Sequence, residues 1–409
     1  MDIITTTGEL RDACARLASS EFVTVDTEFL RETTYWPKLC LIQAAAPGQF
    51  FIIDPLAPNI DLQPFFALMA NEAVTKVFHA ARQDVEIIYN LASIIPAPLF
   101  DTQDAAMVCG FGDSISYDQL VFRISGNRID KSSRFTDWTL RPLSEKQLKY
   151  AAADVTHLRD VYVSLKANLE EQNRSSWVSE EMAILTSVET YHVTPERAWE
   201  RMKLRVRKPI ELAIMRELAA WREAEAQRRD CPRGRIIKDD AIFEISAQQP
   251  SSREALGRLR ALPKGFERSK SADQILEAVK RALAIPKDQL QPVPRGRVSP
   301  EGSSAVVDLL KVLLKMTSER NDVAAKVIAT VDELEQIACD DEADVPALKG
   351  WRRQLFGEAA LKVKRGELAL KIDGKRVGTE LVGKAANGEA PDETPTPQPV
   401  NGILNAKTH

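Results

Sequence analysis

The pattern of apolar residues changes once along this chain, and that change limits the folds open to it. Up to about residue 195, short runs with a period of two, rich in β-branched and aromatic residues, alternate with segments of helical period. Beyond that point the strand pattern stops and apolar residues recur at helical spacing. Because 409 residues are too many for one core, we expect a mixed α/β domain followed by separate helical bundles.

The first 170 residues predict a mixed sheet that begins with an antiparallel meander. Strands are expected at residues 22–29, 39–44, 50–54 and 74–78, with a weaker one at 99–101. Helices are expected after Thr6, at residues 81–91, and from Ser144 to about residue 169. The first and last of these begin with capping boxes, Thr6-x-x-Glu9 and Ser144-x-x-Gln147.

The rest of the chain predicts two small helical bundles. Helices are expected at residues 211–229, 239–247, 252–261, 272–283, 305–316, 323–339 and 345–361, with capping boxes at Ser251-x-x-Glu254 and Ser271-x-x-Gln274. A linker rich in Pro, Gly and Arg spans residues 291–302, and the tail from residue 383 has a disordered composition. The predicted units are therefore residues 1–170, a helical connector at 171–206, bundles at 207–290 and 303–380, and the tail at 383–409.

Targeting signals and cysteine usage favour the cytoplasm. The N-terminus MDIITTTGEL has neither a basic nor an apolar signal region, and no stretch approaches the roughly 20 apolar residues of a membrane-spanning helix. The five cysteines are odd in number, widely spaced and free of any CxxC motif. This usage argues against a disulfide framework and against a zinc site, so we expect a reducing compartment and no membrane contact.

Charge is distributed unevenly along the chain, although the net charge is only −4. Residues 207–290 carry 18 Lys and Arg against 13 Asp and Glu, whereas residues 1–206 carry 20 against 28. A basic module attached to an acidic domain is typical of an enzyme that gains phosphate affinity from its neighbour. Ordinary scatter in composition explains the same numbers equally well.

Two acidic residues share one face of the first long strand. In FVTVDTEF, side chains alternate between faces, so Asp26 and Glu28 project side by side with Cα atoms about 6.6 Å apart. Two carboxylates at this spacing can reach a pair of metal ions that lie about 3.5–4 Å apart. A strand with an acidic solvent face is the alternative.

Three more residues become informative only in combination. Tyr150 and Asp154 lie four apart on the long predicted helix and therefore share a face. Asp84 follows a strand near the start of a helix, where an acid also interacts favourably with the helix dipole. Each of these residues alone has an ordinary structural explanation.

Taken together, the motifs VDTEF, HAARQDVEI and YAAADV resemble those of the DEDD exonuclease superfamily. Tyr150, four residues before Asp154, places the chain with the tyrosine subgroup. The longer strings VDTEFLRETTYWPKLCLIQ and SRFTDWTLRPLSEKQLKYAAADV resemble the ribonuclease D family. Residues 207–290 are similar to the helicase-and-RNase-D C-terminal (HRDC) domain, and GWRRQLFG resembles part of a second, diverged copy.

The resemblance implies a ribonuclease H-like (DnaQ-like) exonuclease fold and two-metal hydrolysis of RNA from its 3′ end, releasing nucleoside 5′-monophosphates. Two Mg²⁺ or Mn²⁺ ions would bind the four carboxylates, which suit hard cations. By the family pattern Asp26 would bridge both ions, Glu28 and Asp154 would complete the site that holds the attacking water, and Asp84 would support the second ion. Tyr150 would orient that water.

The expected partner is RNA with a free 3′ end, with precursors of tRNA suggested by the resemblance, and a monomer is the simplest state. A 3′→5′ DNA exonuclease and a non-catalytic RNA-binding scaffold are the alternatives, because these motifs do not report selectivity for the 2′-hydroxyl group. Several other residues have both a substrate-binding and a structural explanation: His79, Phe29, Tyr35, Trp36, Lys131, Arg134 and Arg141.

Overall fold

The N-terminal α/β domain is built on a six-stranded mixed sheet. The coordinates are a computed structural model, which describes residues 2–294 and 303–382. The strands are β1 (Ile3–Ile4), β2 (Phe22–Leu30), β3 (Lys38–Ala46), β4 (Gln49–Ile53), β5 (Thr75–Phe78) and β6 (Leu99–Asp101). Their order across the sheet is β1-β4-β3-β2-β5-β6. The meander β2-β3-β4 is antiparallel as predicted, and the remaining pairs are parallel. The two-residue strand β1 was not predicted.

Seven helices accompany this sheet: α1 (Thr7–Leu17), α2 (Gln63–Met69), α3 (Arg82–Ala92), α4 (Thr102–Val108), α5 (Tyr117–Ser125), α6 (Glu145–Glu171) and α7 (Ser175–Leu185). Both predicted capping boxes are present, at Thr6 and Glu9 and at Ser144 and Gln147. The long helix α6 packs across the meander, where the Thr24 hydroxyl of β2 donates to the Val155 carbonyl at 2.8 Å. This hydrogen bond fixes the position of α6 relative to β2.

The central helical region, residues 195–289, has a hydrophobic core of its own. It contains α8 (Pro209–Arg229), α9 (Arg233–Ile236), α10 (Asp239–Gln248), α11 (Arg253–Leu256) and α12 (Lys270–Leu283), with 3-10 turns at Val188–Thr190 just before it and at Pro195–Arg201, Phe266–Arg268 and Lys287–Gln289. The helix predicted at residues 252–261 is wrong in length, because α11 ends at Leu256, just before Gly257, a residue of low helix propensity.

Two predicted capping boxes in this region are also wrong in position. Ser252, rather than Ser251, caps α11, and Ser269, rather than Ser271, caps α12. Each observed cap accepts from the backbone N–H three residues later, with no acidic or amide side chain returning the bond. The sequence pattern therefore found the helix starts to within two residues but chose the wrong serines.

The C-terminal region, residues 303–382, is helical and then ends in a hairpin. Its helices are α13 (Ser303–Asn321), α14 (Ala325–Ile328), α15 (Val331–Cys339), α16 (Gly350–Arg352) and α17 (Glu358–Lys364), with a 3-10 turn at Pro346–Leu348 and a π-helical turn at Arg353–Gly357. The prediction of a single helix at residues 323–339 is wrong. The segment forms two helices, α14 and α15, because Thr330 and Glu333 form a capping box at which α15 begins as a new helix.

The hairpin consists of β7 (Leu368–Asp373) and β8 (Arg376–Leu381), which pair antiparallel. It contradicts the expectation that strands stop near residue 195. The strands are joined by the two-residue turn Gly374-Lys375, in which Gly374 has a positive φ of 60° that favours glycine, and the helical pattern upstream obscured this hairpin signal. The predicted tail at residues 383–409 and most of the predicted linker, residues 295–302, lie outside the described residues.

The C-terminal region does not pack as an independent bundle. Its buried residues join the core of the N-terminal domain in one continuous hydrophobic cluster, whereas the central helical region remains separate. Within residues 2–294 and 303–382, no helix combines the length and apolar character needed to cross a bilayer.

Candidate active site

Strand β2 brings two carboxylates to the centre of the sheet. Asp26 and Glu28 alternate with the fully buried Val25 and with Thr27, so both acids project from the same face of the sheet. They are only partly exposed, because α6 packs against this face. The sequence argument for a shared face thus describes the local geometry correctly.

Helix α6 contributes Asp154 to the same place. Oxygen atoms of Asp26, Glu28 and Asp154 all lie within 4.8 Å of one another. The small residues Ala151 and Ala152, both buried in a cluster with strand β3, let α6 approach the sheet closely. One turn earlier, Tyr150 donates a hydrogen bond to Asp154. The structure therefore joins two sequence motifs that lie more than 120 residues apart.

Asp84 lies in the same cleft but outside this group of three. It is in the first turn of α3, is 6% exposed, and accepts a short hydrogen bond from the Thr27 hydroxyl. The Thr27 side chain points to the opposite side of β2 from Asp26 and Glu28. Its hydrogen bond therefore attaches Asp84 to β2 at the residue between these two acids. The negative charge of Asp26 still acts on Asp84, which shows that the fourth carboxylate is close.

Burial raises the pKa of the four carboxyl groups of Asp26, Glu28, Asp84 and Asp154, and repulsion from neighbouring carboxylates adds to this effect at Asp26, Glu28 and Asp84. Burial, followed by repulsion from Asp26, raises the pKa of Glu28 to about 10. Burial raises the pKa of Asp154 to about 7, against the opposing effects of Tyr150 and Arg134. The pKa values of Asp26 and Asp84 are also well above the usual range, chiefly because of burial.

Such a cluster is unfavourable without a compensating cation. Arg134 lowers the pKa of Glu28 and Asp154, but it forms no ion pair with either residue among the salt bridges of the described chain. The donors are all carboxylate oxygens, which Mg²⁺ and Mn²⁺ prefer over softer ligands. The chemistry of the donor set therefore fits divalent cations.

The carboxylates share a cleft of about 520 Å³ with basic and aromatic side chains. Lys131 and Arg134 contribute the positive charge, with Lys131 paired to Asp118 at 2.5 Å. Phe135 is 91% exposed, and the Arg134 guanidinium lies 5.1 Å from its ring centroid. An exposed aromatic ring at the edge of a cleft provides a surface on which a base can stack.

Some residues noted in the sequence have structural roles instead. Arg141 is held by Asp54 at 2.6 Å and by backbone carbonyls, so it is not available to phosphate. Tyr35 turns away from the cleft and contacts α8. The Trp36 ring packs edge-on against the Tyr35 ring, with the two ring centroids 4.7 Å apart. Phe29 remains in the cleft wall.

His79 lies in the cleft wall but is buried. Its Nδ1 is 3.0 Å from the Thr102 hydroxyl, and its Nε2 has no hydrogen-bond partner within the described part of the chain. Burial lowers its pKa, which favours the neutral ring. A neutral imidazole does not attract phosphate as a charged one would.

Sequence reasoning missed several residues of the cleft wall. Tyr117 of α5 donates to the Ala153 carbonyl at 3.1 Å and closes the cleft beside Asp154. Gln83, next to Asp84, and Phe135, next to Arg134, also line the cleft. The only sequence signal for Gln83 and Phe135 is that each neighbours a residue already singled out, and Tyr117 has no such signal, because loop and helix packing decides which side chains face the cleft.

Comparison with protein families agrees with this geometry. A family profile described as 3′-5′ exonuclease matches residues 1–170, and one described as HRDC domain matches residues 211–279. The chain is 60% identical over 377 residues to ribonuclease D of Nitrobacter hamburgensis, covering 92% of this chain and 98% of that protein. It is 49% identical to ribonuclease D of Bartonella henselae, covering 93% of this chain and 94% of that protein.

A solved structure supports the same relationship. The crystal structure of Escherichia coli RNase D, described as an exoribonuclease involved in structured RNA processing, superposes with a TM-score of 0.78 at 29% sequence identity. The superposition covers 89% of this chain and 98% of that one. The similarity therefore extends through the helical regions and is not confined to the α/β domain.

Proposed function

Because the chain belongs to the ribonuclease D family and is therefore a 3′→5′ exoribonuclease, we propose that the carboxylates that meet in the cleft, with Tyr150, are its catalytic residues. The proposed metal ligands are Asp26, Glu28, Asp84 and Asp154. The observation that carries this proposal is the meeting of three carboxylates from β2 and α6 within 4.8 Å in an open cleft.

The activity depends on divalent metal ions, as in the exonuclease family, and we propose two ions, Mg²⁺ or Mn²⁺. Asp26, Glu28 and Asp154 would hold one ion, with Asp26 shared, and Asp84 would support the other. Divalent cations bound there would lower the pKa of the attacking water and offset charge on the leaving 3′ oxygen. Nucleoside 5′-monophosphates are the expected products.

Tyr150 is proposed to orient water rather than to remove its proton. Burial, together with the negative charge of Asp154, raises the pKa of Tyr150 above its ordinary value, so the phenol stays protonated at neutral pH. Its O–H donates to Asp154, which leaves the lone pairs of the oxygen free to accept a hydrogen bond from water. The hydroxyl group thereby fixes the direction of the attacking water.

The basic and aromatic part of the cleft lining is suited to the terminal nucleotides of the substrate. Lys131 and Arg134 would attract backbone phosphate, and Phe135 would stack on a base. None of these contacts distinguishes one base from another, as expected of an enzyme that removes successive nucleotides. We propose tRNA precursors among the substrates, as well as a monomeric state.

We propose a cytoplasmic location from the cysteine usage of the chain. All five cysteines are free thiols, and three of them are buried. Free thiols are typical of proteins in a reducing compartment.

The proposed function is tested with a 5′-labelled single-stranded RNA that has a free 3′ end, incubated with Mg²⁺ or Mn²⁺ and resolved by length. We expect a ladder that shortens one nucleotide at a time, and no products in EDTA. Asp154→Asn should be inactive. Tyr150→Phe should lower kcat with little change in KM, because the hydroxyl group acts on the transition state more than on substrate binding.

Matched substrates distinguish this function from the alternatives, a DNA exonuclease and a non-catalytic RNA-binding scaffold. DNA of the same sequence tests sugar selectivity, and a tRNA transcript with a 3′ extension tests the proposed class of substrate. Near-native activity of Asp154→Asn would show that the carboxylate assignment is wrong. A loss in Tyr150→Phe that is confined to KM would make Tyr150 a substrate-packing residue.

A further inference from the structure

A second pocket adjoins the catalytic cleft and is lined by three arginines. It has a volume of about 330 Å³ and lies between α3 and residues 190–201, where the chain enters the central helical region. Arg31 follows strand β2, Arg82 begins α3, and Arg201 ends the 3-10 turn Pro195–Arg201. Three elements distant in sequence thus place cations around one opening.

The positive charge of this pocket is largely uncompensated. Arg31 binds Glu86 through two parallel hydrogen bonds of 2.7 and 2.9 Å, which neutralises that pair. Across residues 2–294 and 303–382, neither the Arg82 side chain nor the Arg201 side chain forms a hydrogen bond or an ion pair. The acid that acts on Arg201, Glu223, is already bound to Arg233 and Tyr35.

The walls of the pocket are fixed by packing, so the cations surround a formed opening. Tyr191, only 5% exposed, donates its hydroxyl to the Leu185 carbonyl at 2.7 Å and packs near the Tyr89 ring. The Val193 carbonyl accepts from Gln227 of α8 at 3.4 Å. The segment that carries Arg201 is therefore anchored to both α3 and α8.

The pocket continues directly from the catalytic cleft. Gln83 lines both openings, and it lies between Arg82 and Asp84 on the first turn of α3. Residues two apart on a helix point about 200° apart. Asp84 therefore faces the carboxylate cluster while Arg82 faces the second pocket, and a chain that leaves the cleft across Gln83 reaches the two unpaired arginines.

We propose that Arg82 and Arg201 bind a phosphodiester group of the RNA strand on the 5′ side of the nucleotide being removed. This inference rests on the proposed function of the adjoining cleft. An arginine matches phosphate through its planar set of donors, and both side chains are exposed with those donors unused. The contact would be independent of base sequence and would exist only for substrates long enough to reach the pocket.

The test compares Arg82→Gln/Arg201→Gln with Arg197→Gln. Arg197 lies in the same 3-10 turn as Arg201 and is exposed, but its guanidinium is paired with Glu200 at 2.9 Å. Binding of a single-stranded twelve-nucleotide RNA is measured against salt concentration, with Asp154→Asn added to every protein to prevent hydrolysis. Loss of one phosphate contact flattens the slope of log K against log salt by about 0.7, so the double variant, which lacks both arginines of the proposed phosphate site, should show a slope about 0.7 shallower than the control.

A second measurement uses the active enzymes on RNAs of three and twelve nucleotides. The double variant should show a KM roughly tenfold higher for the longer RNA, from lost charge-assisted contacts, and an unchanged kcat/KM for the trinucleotide. The Arg197→Gln control should match the wild type on both RNAs.

Equal salt slopes for the double variant and the control would overturn the proposal, as would an equal loss on both RNA lengths. A failure of the proposed function would look different, since the wild type would then release no nucleotides from either RNA. The binding arm would still report on the pocket in that case.

Discussion

The carboxyl group of Asp154 makes stability depend on pH when no metal is bound. Its pKa is about 7 in the folded protein against an ordinary 3.8, chiefly because of burial. A raised carboxyl pKa means that stability is complete below the unfolded value and is lost as pH rises toward the folded value. We therefore expect Asp154→Asn, in EDTA, to melt above the wild type by an amount that grows from pH 5 to pH 8.

The expected difference at pH 8 is at least about 2 °C, measured by thermal denaturation. Mg²⁺ should reduce or reverse it, because the ion stabilises the wild-type folded state that it binds. Ser246→Ala, a buried residue remote from the cleft in sequence, provides a variant whose offset should not vary with pH. An offset for Asp154→Asn that is constant from pH 5 to pH 8 would contradict the prediction.

The sequence predicts the placement of some side chains in the cleft better than that of others. Asp26 and Glu28 follow from strand alternation, and Tyr150 and Asp154 from helical spacing, because local geometry sets both relationships. That these pairs meet follows from the family resemblance and from the packing of α6 on β2. Phe135 and the unpaired arginines could not be found in the same way, because their surroundings come from segments far away in sequence.

At the scale of elements, the loop between β2 and β3 is anchored to α8. The Tyr35 hydroxyl bonds to Glu223, a fully buried carboxylate, and accepts from Gln227 at 3.1 Å. Both the Tyr35 and Trp36 backbone N–H groups donate to Asp230 at 3.0 Å. This loop directly follows β2, the strand that carries Asp26 and Glu28. The central helical region therefore anchors the C-terminal end of that strand.

Tyr35→Phe should therefore lower the free energy of unfolding by about 1–3 kcal/mol, since it removes a hydrogen bond to a buried charged group. Tyr89→Phe is the matched control: its hydroxyl lies 3.4 Å from His192 Nδ1 in an exposed position, and its loss should cost less than about 0.5 kcal/mol. Chemical denaturation measures both. Equal losses would show that the contact with Glu223 contributes little.

Whole elements were predicted more reliably than their ends. The meander strands and α6 have strong periodicity, and the structure places them within two residues of the predicted bounds. Errors occur where competing local signals were close together, as with neighbouring serines before α11 and α12. The helix break before α15 was missed because the apolar pattern continues through Thr330, although the capping box there is a clear start signal.

At the scale of the molecule, the C-terminal region is docked on the N-terminal domain. The Trp177 and Trp351 rings stack with centroids 4.3 Å apart. Beside them, Arg352, 8% exposed, forms ion pairs with Glu180 and Glu181 of α7. The Ala324 N–H also donates to the Met107 carbonyl at 2.8 Å. These contacts make the two regions one folding unit.

Arg352→Met should accordingly destabilise the whole unit by about 2 kcal/mol or more, because it removes a buried guanidinium that binds the Glu180 and Glu181 carboxylates and the Val327 carbonyl. Arg353→Met is the control, since that neighbouring side chain is about half exposed and pairs only with Glu358 of its own region. Thermal denaturation and loss of nuclease activity on heating are measured together. If activity in Arg352→Met survived heating as in the control, the C-terminal region would not be supporting the α/β domain.

The docking of Trp351 on Trp177 also affects when the two regions can pack together during synthesis of the protein. About 170 residues separate the two rings, and the whole central helical region is translated between them. At roughly 5–20 residues per second, a ribosome needs on the order of 10–30 seconds to cover that distance. The apolar surface around Trp177 therefore stays uncovered for that time, and the contact between the two regions forms only after the whole central helical region has been synthesised.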